Sequence, residues 1–191
     1  MYKKLITKIS SFITLTEEDI ALVELLFEYR HCKKNEILIN EGEYANSAYF
    51  VDSGYLRYYK IIDNGEEQTI HLVIPTHFAT SLPSFLYNIK SEELLQSVVD
   101  SEVFLITREN LEKLYNTASK WQEFGRKLME FFLMEKEQRL IDQLSLSAIE
   151  RYKKLLDTDP QLIQNIPIQY IASFIGIKPE SLSRIRKQIF S

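Results

Sequence analysis

Glu180, Ser181, Ser183, Arg184 and Lys187 stand within two helical turns near the end of the 191-residue chain. On a helix they point away from Leu182 and Ile185. Carboxylate, hydroxyl, guanidinium and ammonium groups presented this way can hydrogen-bond base edges and phosphates in a DNA groove. Lys178, just before Pro179, joins them. Lysine is a poor N-cap where Ser or Asp contributes roughly 1 kcal/mol. Either its ammonium meets a phosphate or the weak cap is simply tolerated.

These groups need a rigid support, and the surrounding residues describe one. With Gly176 as the turn, Ile171, Ala172, Ile175, Ile177, Leu182 and Ile185 fall where two short crossed helices need apolar or small side chains. Ala172 allows close approach, and glycine supplies the positive φ at which one helix stops and the next leaves steeply. Pro167 and Pro179 are expected in first helical turns, where a missing N–H costs little. Residues 168–190 therefore read as a complete helix-turn-helix. The competing reading is a buried helical hairpin with the same apolar period.

Composition bounds the rest. A 45% hydrophobic chain of this length can build one large or two small cores. The net charge of -4 conceals a division: residues 1–118 carry 11 Lys+Arg against 18 Asp+Glu, and residues 119–191 carry 12 against 9. An acidic front half favours solubility, and a basic rear half can meet phosphate. The single cysteine, Cys32, excludes an internal disulfide and an iron–sulfur cluster held by one chain. No apolar run reaches membrane-spanning length, and Lys3 and Lys4 precede no signal-peptide core, so a cytoplasmic location is expected. With no Cys/His, Ser/His/Asp or metal-ligand constellation at catalytic spacing, neither catalytic nor metal residues are assigned and no enzyme is expected.

Along the chain, Thr16 with Asp19 forms a capping box for a helix carrying Ile20, Val23 and Phe27 and ending near Glu28. From 29 to 107 the period falls to about two. Ile37-Leu38-Ile39, Tyr49-Phe50-Val51, residues 55–62, 68–74, Val98-Val99 and 103–106 are short β-branched or aromatic runs, separated by turns at Asn35, Glu41-Gly42-Glu43, Ser53-Gly54 and Asp63-Asn64-Gly65. Such regular punctuation predicts an antiparallel barrel or jelly roll, with Asn64-Gly65 its strongest hairpin signal. Thr107 is expected to cap a short helix carrying Leu111 and Leu114, and Ser119 with Gln122 to box the start of a long one ending near Leu146. Ser147 with Glu150 then opens a helix over 148–156, and Asp157-Thr158-Asp159-Pro160 reads as a loop.

Trp121, Phe124, Leu128 and Phe131 give the long helix a seam, continued less cleanly by Leu140 and Leu144. A helix of some 25 residues is about 38 Å long, longer than a small barrel can cover. Those four residues are therefore expected at a homodimer interface, which also suits a helix-turn-helix reading paired half-sites.

An α+β chain of this order, with an N-terminal antiparallel β jelly roll of the cyclic-nucleotide-binding type, a long dimerisation helix and a C-terminal helix-turn-helix, resembles the Crp/Fnr family of bacterial transcription regulators. The segments Ile37-Leu38-Ile39-Asn40-Glu41-Gly42-Glu43 and Ala48-Tyr49-Phe50-Val51-Asp52-Ser53-Gly54 look like the family's strand pair, and Ile177-Lys178-Pro179-Glu180-Ser181-Leu182-Ser183-Arg184 like its recognition helix. The resemblance covers nearly the whole chain. It implies turn glycines at Gly42 and Gly54, base reading by Glu180 and Arg184, double-stranded DNA as partner, and RNA polymerase and a small-molecule effector as further ones. It divides the chain into an effector domain over 1–118, a dimerisation helix over 119–146 and a DNA-binding domain over 147–191. The family's two-stranded wing has no counterpart before Ser191, so a domain without a wing is expected. The Arg151, Lys153 and Lys154 cluster is then either a solvated face or a set of backbone contacts.

The family's cyclic-nucleotide site is not matched. Phe78-Ala79-Thr80-Ser81-Leu82 stands where a Phe-x-Gly-Glu segment would be, and Ser91, Glu92 and Glu93 stand near the place of its phosphate-binding arginine. Thr80, Ser81 and Leu82 mark the effector pocket by position alone, and cyclic AMP or GMP is not expected there. Lys90 is the nearest cation and reads as a solvated loop residue; His71 and His77 read as hydrogen-bonded or surface groups rather than haem ligands. No cofactor is assigned. The function expected is a homodimeric DNA-binding transcription regulator; the alternative is a ligand-sensing or signalling module whose C-terminal helices pack on a partner protein.

Overall fold

The computed structural model describes residues 1–190, with Phe190 by its backbone only. Two helices, α1 (Lys3–Ser10) and α2 (Glu17–Leu26), precede eight strands: β1 (Glu28–Cys32), β2 (Ile37–Ile39), β3 (Ser47–Ser53), β4 (Leu56–Ile61), β5 (Glu67–Val73), β6 (Phe78–Ala79), β7 (Leu94–Ser97) and β8 (Ser101–Thr107), with α3 (Leu82–Tyr87) inserted after β6. The strands form two four-stranded antiparallel sheets, in the orders β1-β8-β3-β6 and β2-β7-β4-β5. After β8 come α4 (Arg108–Thr117), the long α5 (Ser119–Ser145), α6 (Ala148–Thr158), α7 (Pro160–Asn165), α8 (Ile168–Phe174) and α9 (Pro179–Phe190).

Local chemistry accounts for most boundaries. Thr16 and Asp19 make both halves of the capping box on α2, Ser147 and Glu150 repeat it on α6, and Thr107 Oγ1 accepts from the Asn110 amide at 3.1 Å. The β4–β5 hairpin closes through Asp63, Asn64 and Gly65, with Gly65 at φ +81° and its N–H on the Ile62 carbonyl. Gly42 and Gly54 also sit at positive φ.

Four sequence expectations shift. The Val98-Val99 strand is β7, four residues earlier; Val98 and Val99 form the turn into β8, whose carbonyl at Val99 accepts from the Ser97 and Ser101 hydroxyls. Ser119 does not cap α5, because Ala118 is the extended residue at its start and Ser119 is already helical. The loop expected over 157–160 shrinks to Asp159, whose carboxylate accepts from the Leu162 amide and starts α7. Pro167 precedes α8 as its N-cap instead of lying in the first turn, and its carbonyl accepts from Tyr170 and Ile171.

One core joins α1, α2, α4 and the first half of α5 to the β1-β8-β3-β6 sheet through Leu5, Ile9, Phe50, Phe104 and Trp121. A second fills the barrel. The third runs from the barrel residues Tyr55, Leu72 and Val98 into Tyr152, Ile171, Ala172 and Leu182, so the C-terminal helices share apolar burial with the barrel. α1 was not anticipated, although Leu5, Ile9 and Ile13 repeat every four residues and all three are buried.

Candidate functional site

The C-terminal unit is built around one tight crossing. Gly176 has φ +78°, its N–H meets the Ser173 carbonyl, and the Ile177 N–H reaches back to the Ala172 carbonyl at 2.9 Å, which ends α8 with its last carbonyls satisfied. Ala172 and Leu182 are completely buried where α8 and α9 meet. Lys178 begins α9 through its carbonyl, which accepts from Ser181 and Leu182. Lys178, Glu180, Ser183, Arg184 and Lys187 are exposed, and Ser181 is half-buried. Ser183 is less available than expected, since its hydroxyl donates to the Pro179 carbonyl one turn back at 3.0 Å.

Of the basic cluster on α6, Arg151 and Lys154 serve the fold instead of forming a free face. The Arg151 guanidinium bonds the Ile175 carbonyl through Nε and Nη2 and also the Leu146 carbonyl, tying together the C-terminal ends of α5 and α8. Lys154 pairs with Asp142 at 2.6 Å. Lys153 remains exposed.

The residues expected at a dimer seam divide. Trp121, Phe124 and Leu128 are 0%, 2% and 8% exposed inside their own chain, packed with α1 and the barrel, and offer no surface to a second copy. This corrects their assignment: the barrel and α1 together cover more of α5 than the barrel alone would. Phe131 is half-buried, and Lys8 lies over its ring at 4.3 Å. Beyond it, Leu133, Met134, Leu140, Ile141 and Leu144 are the large apolar side chains of α5 left exposed, Leu144 at 80%. The sequence marked Leu140 and Leu144 only as a weaker continuation.

Around the expected effector pocket, polar atoms are taken by the protein itself. Ser81 is buried at the start of α3, and its hydroxyl accepts from Ser91 Oγ at 2.8 Å. Thr80 donates through Oγ1 to the Ser47 carbonyl at 2.9 Å and accepts on its own carbonyl from the buried Tyr58 hydroxyl at 3.0 Å. Leu82 is half-buried in the first turn of α3. Arg108, which the sequence did not single out, reaches the same corner; its Nη1 bonds Asn88 Oδ1 and its Nη2 the Ala45 and Ser84 carbonyls, while Nε is buried without a partner. Burial raises the Glu93 carboxyl despite Lys136 and Lys60. Lys90 is exposed beside Tyr44.

The junction between barrel and C-terminal helices carries most of what the sequence did not reveal. β5 is the outer strand of its sheet, and α8 lies along it. The Thr69 amide donates to Ser173 Oγ at 2.8 Å, so a helix side chain satisfies part of a strand edge. Arg57, only 1% exposed, pairs with Glu67, donates to Gln96 Oε1 at 2.8 Å and is stacked between Tyr59 and Tyr170. Nearby, the Arg139 guanidinium lies over the Phe174 ring, and His77 faces Glu135 at 3.4 Å. Lys178 and Glu180, at the start of α9, line one recess together with Glu66 and Glu67 from the barrel hairpin.

Among the described residues no group of three His, Cys, Asp or Glu could hold a metal, and no helix is long and apolar enough to cross a membrane.

Residues 29–118 match the profile of the cyclic nucleotide-binding domain. No curated protein sequence matches the chain significantly. Among solved structures, FixK2 of Bradyrhizobium japonicum is 21% identical with a TM-score of 0.74, covering 86% of this chain and 84% of its own. A protein of Eubacterium rectale described as a transcriptional regulator of the Crp/Fnr family is 19% identical with a TM-score of 0.70, over 91% and 83% of the two chains. The catabolite activator protein of Thermus thermophilus is 22% identical with a TM-score of 0.58, over 93% and 85%. Residues 29–118 thus resemble a cyclic nucleotide-binding domain, and the chain shares its fold along most of its length with these three structures.

Proposed function

We propose that the protein is a homodimeric, DNA-binding transcription regulator that does not answer to cyclic AMP or cyclic GMP. The observation that carries this reading is the α8–α9 crossing: Ala172 and Gly176 set a steep, tight turn, Leu182 anchors α9 inward, and Glu180, Arg184 and Lys187 face outward where a helix entering the major groove needs them. The two helices act as a helix-turn-helix, with Arg184 and Glu180 reading bases and Lys178, Ser181, Ser183 and Lys187 contacting backbone or base edges.

The exposed leucines of α5 support pairing of two copies through Leu133, Leu140 and Leu144, which would present two recognition helices to a two-fold symmetric operator. The Ser81–Ser91 pair and the engagement of both Arg108 Nη groups by Asn88, Ala45 and Ser84 support an effector other than a cyclic nucleotide, because a phosphate there would have to displace those partners.

A gel shift on fragmented genomic DNA at increasing salt tests the reading. Retardation of a subset of fragments, weakening steeply with salt, is expected. Complete absence of retardation at low salt would instead favour a signalling module whose C-terminal helices pack on a partner protein.

A further inference from the structure

We propose that the cleft between the long helix and the C-terminal helices binds an amphipathic organic monoanion, a carboxylate on an aromatic or aliphatic body, which sets its charge against Arg139. The inference deepens the regulator reading, on which its regulatory consequence rests; the site itself stands on the geometry of the cleft.

The cleft has a volume of about 570 Å³, within the range of small-molecule sites. Its apolar walls are Phe131 and Met134 of α5, Leu155 of α6, and Phe174 and Ile175 at the end of α8, while β5 contributes His71. One ligand would therefore touch the barrel, the long helix and the proposed DNA-reading unit together.

Arg139 gives the cleft its chemistry. Its guanidinium lies 3.7 Å from the centre of the Phe174 ring, and its nitrogens meet His71 Nδ1 at 3.5 Å and the Phe174 carbonyl at 3.3 Å. Among the described residues no carboxylate pairs with it. Burial alone pulls it down to about 10 from its ordinary 12.5, the signature of a cation that has lost water without gaining a counter-ion. His71 beside it is held neutral, to about 4, by burial and then by Arg139.

The other charges of the lining are already engaged. Lys154 pairs with Asp142 and Arg151 bonds backbone carbonyls, while the Glu135 carboxylate turns to His77 Nε2 at 3.4 Å and makes no ion pair with Arg139; the lining as a whole keeps an excess of one positive charge. One uncompensated cation over apolar walls suits one negative charge on an apolar body. A dianionic phosphate would leave charge unmatched, and a neutral apolar molecule would leave Arg139 as it is.

Isothermal titration of the full chain without DNA tests the site, with 2-naphthoate as the anionic probe and 2-naphthamide as its neutral match. The expected results are a 2-naphthoate dissociation constant of about 100 μM or tighter and at least about tenfold weaker binding of the amide. Arg139→Gln should lower 2-naphthoate affinity about tenfold and leave the amide unchanged, a difference of about 1.4 kcal/mol. Gln138→Trp, on the exposed rim, should weaken both. Should Arg139→Gln fail to fold, as judged by circular dichroism, the wild-type preference and the Gln138→Trp loss decide. Equal affinity for the two probes, no binding of either at millimolar concentration, or unaltered 2-naphthoate binding by folded Arg139→Gln would overturn the proposal. Because no DNA is present, such a failure refutes the ligand site, while the gel shift separately decides DNA binding.

Discussion

The Arg57 guanidinium carbon lies 3.7 Å from the centre of the Tyr170 ring, so a buried cation of the barrel is clamped by an aromatic side chain of the C-terminal unit. With Tyr59 on its other face at 4.0 Å and the Thr69 amide on Ser173 beside it, this contact ties α8 to the barrel edge. It also holds the start of α9 near Glu66 and Glu67, carboxylates that would repel a DNA phosphate.

Tyr170→Ala should therefore weaken the junction without dissolving the barrel. A stacked, largely desolvated cation–π contact is worth up to about 2 kcal/mol, and loss of ring burial adds to that. Hydrogen exchange should accelerate at the Thr69 amide while the β3–β8 amides stay protected. Unchanged Thr69 protection would show that Tyr170 does not hold the two parts together.

Much of this architecture was legible in the sequence, for reasons that differ by element. The capping boxes at Thr16 and Ser147, the hairpin at Gly65 and the crossing at Gly176 are decided by local hydrogen bonds or by a backbone conformation few residues accept, so the residues themselves announce them. The side of α5 that faces outward was not legible. Trp121 and Leu140 are both apolar residues on one helix, and the packing of α1, α2, α4 and the barrel against its first half, which no local pattern records, decides that the first is covered and the second is not. The Arg57–Tyr170 and Arg139–Phe174 contacts join residues 113 and 35 positions apart, respectively, and follow from how two units dock, which no local pattern encodes.

The dimer contact should lie in the second half of α5. Replacing Leu133 and Leu144 together with glutamate should yield folded monomers by light scattering, since both side chains are exposed in the single chain. Leu128→Ala, by contrast, should cost about 2–4 kcal/mol of stability as a cavity in the core. A double variant that remains dimeric would remove this face from the assembly.

His71 should give stability a recognisable pH dependence. Its imidazole, 6.5 in its ordinary state, is held to about 4 by burial first and Arg139 next; Lys136 and His77 act in the same direction and Glu135 opposes them. Between those values the unfolded chain binds more protons than the folded one. The stabilisation is thus complete above about pH 6.5 and is lost as pH falls toward 4. Thermal melts of His71→Gln should show a shallower decline across that window than the parent; parallel curves would contradict the assignment.

Cyclic AMP and cyclic GMP should bind no more tightly than about 10 μM, near -7 kcal/mol. A cyclic phosphate near Ser81 would find its hydroxyl already paired and Arg108 bound to three oxygens. Titration showing tighter binding would mean that this corner rearranges to admit the ligand.

If α9 reads DNA as one of a symmetric pair, selection of bound sequences from a random duplex pool should show it. Enrichment of a palindrome with half-sites about one helical turn apart is expected. Arg184→Ala should then cost about 1–3 kcal/mol on the selected site and relax one base position, while Lys187→Ala should weaken all sequences alike and lower the salt slope by roughly one. A pool that stays unenriched after repeated rounds, or a selected site bound equally well by Arg184→Ala, would contradict it.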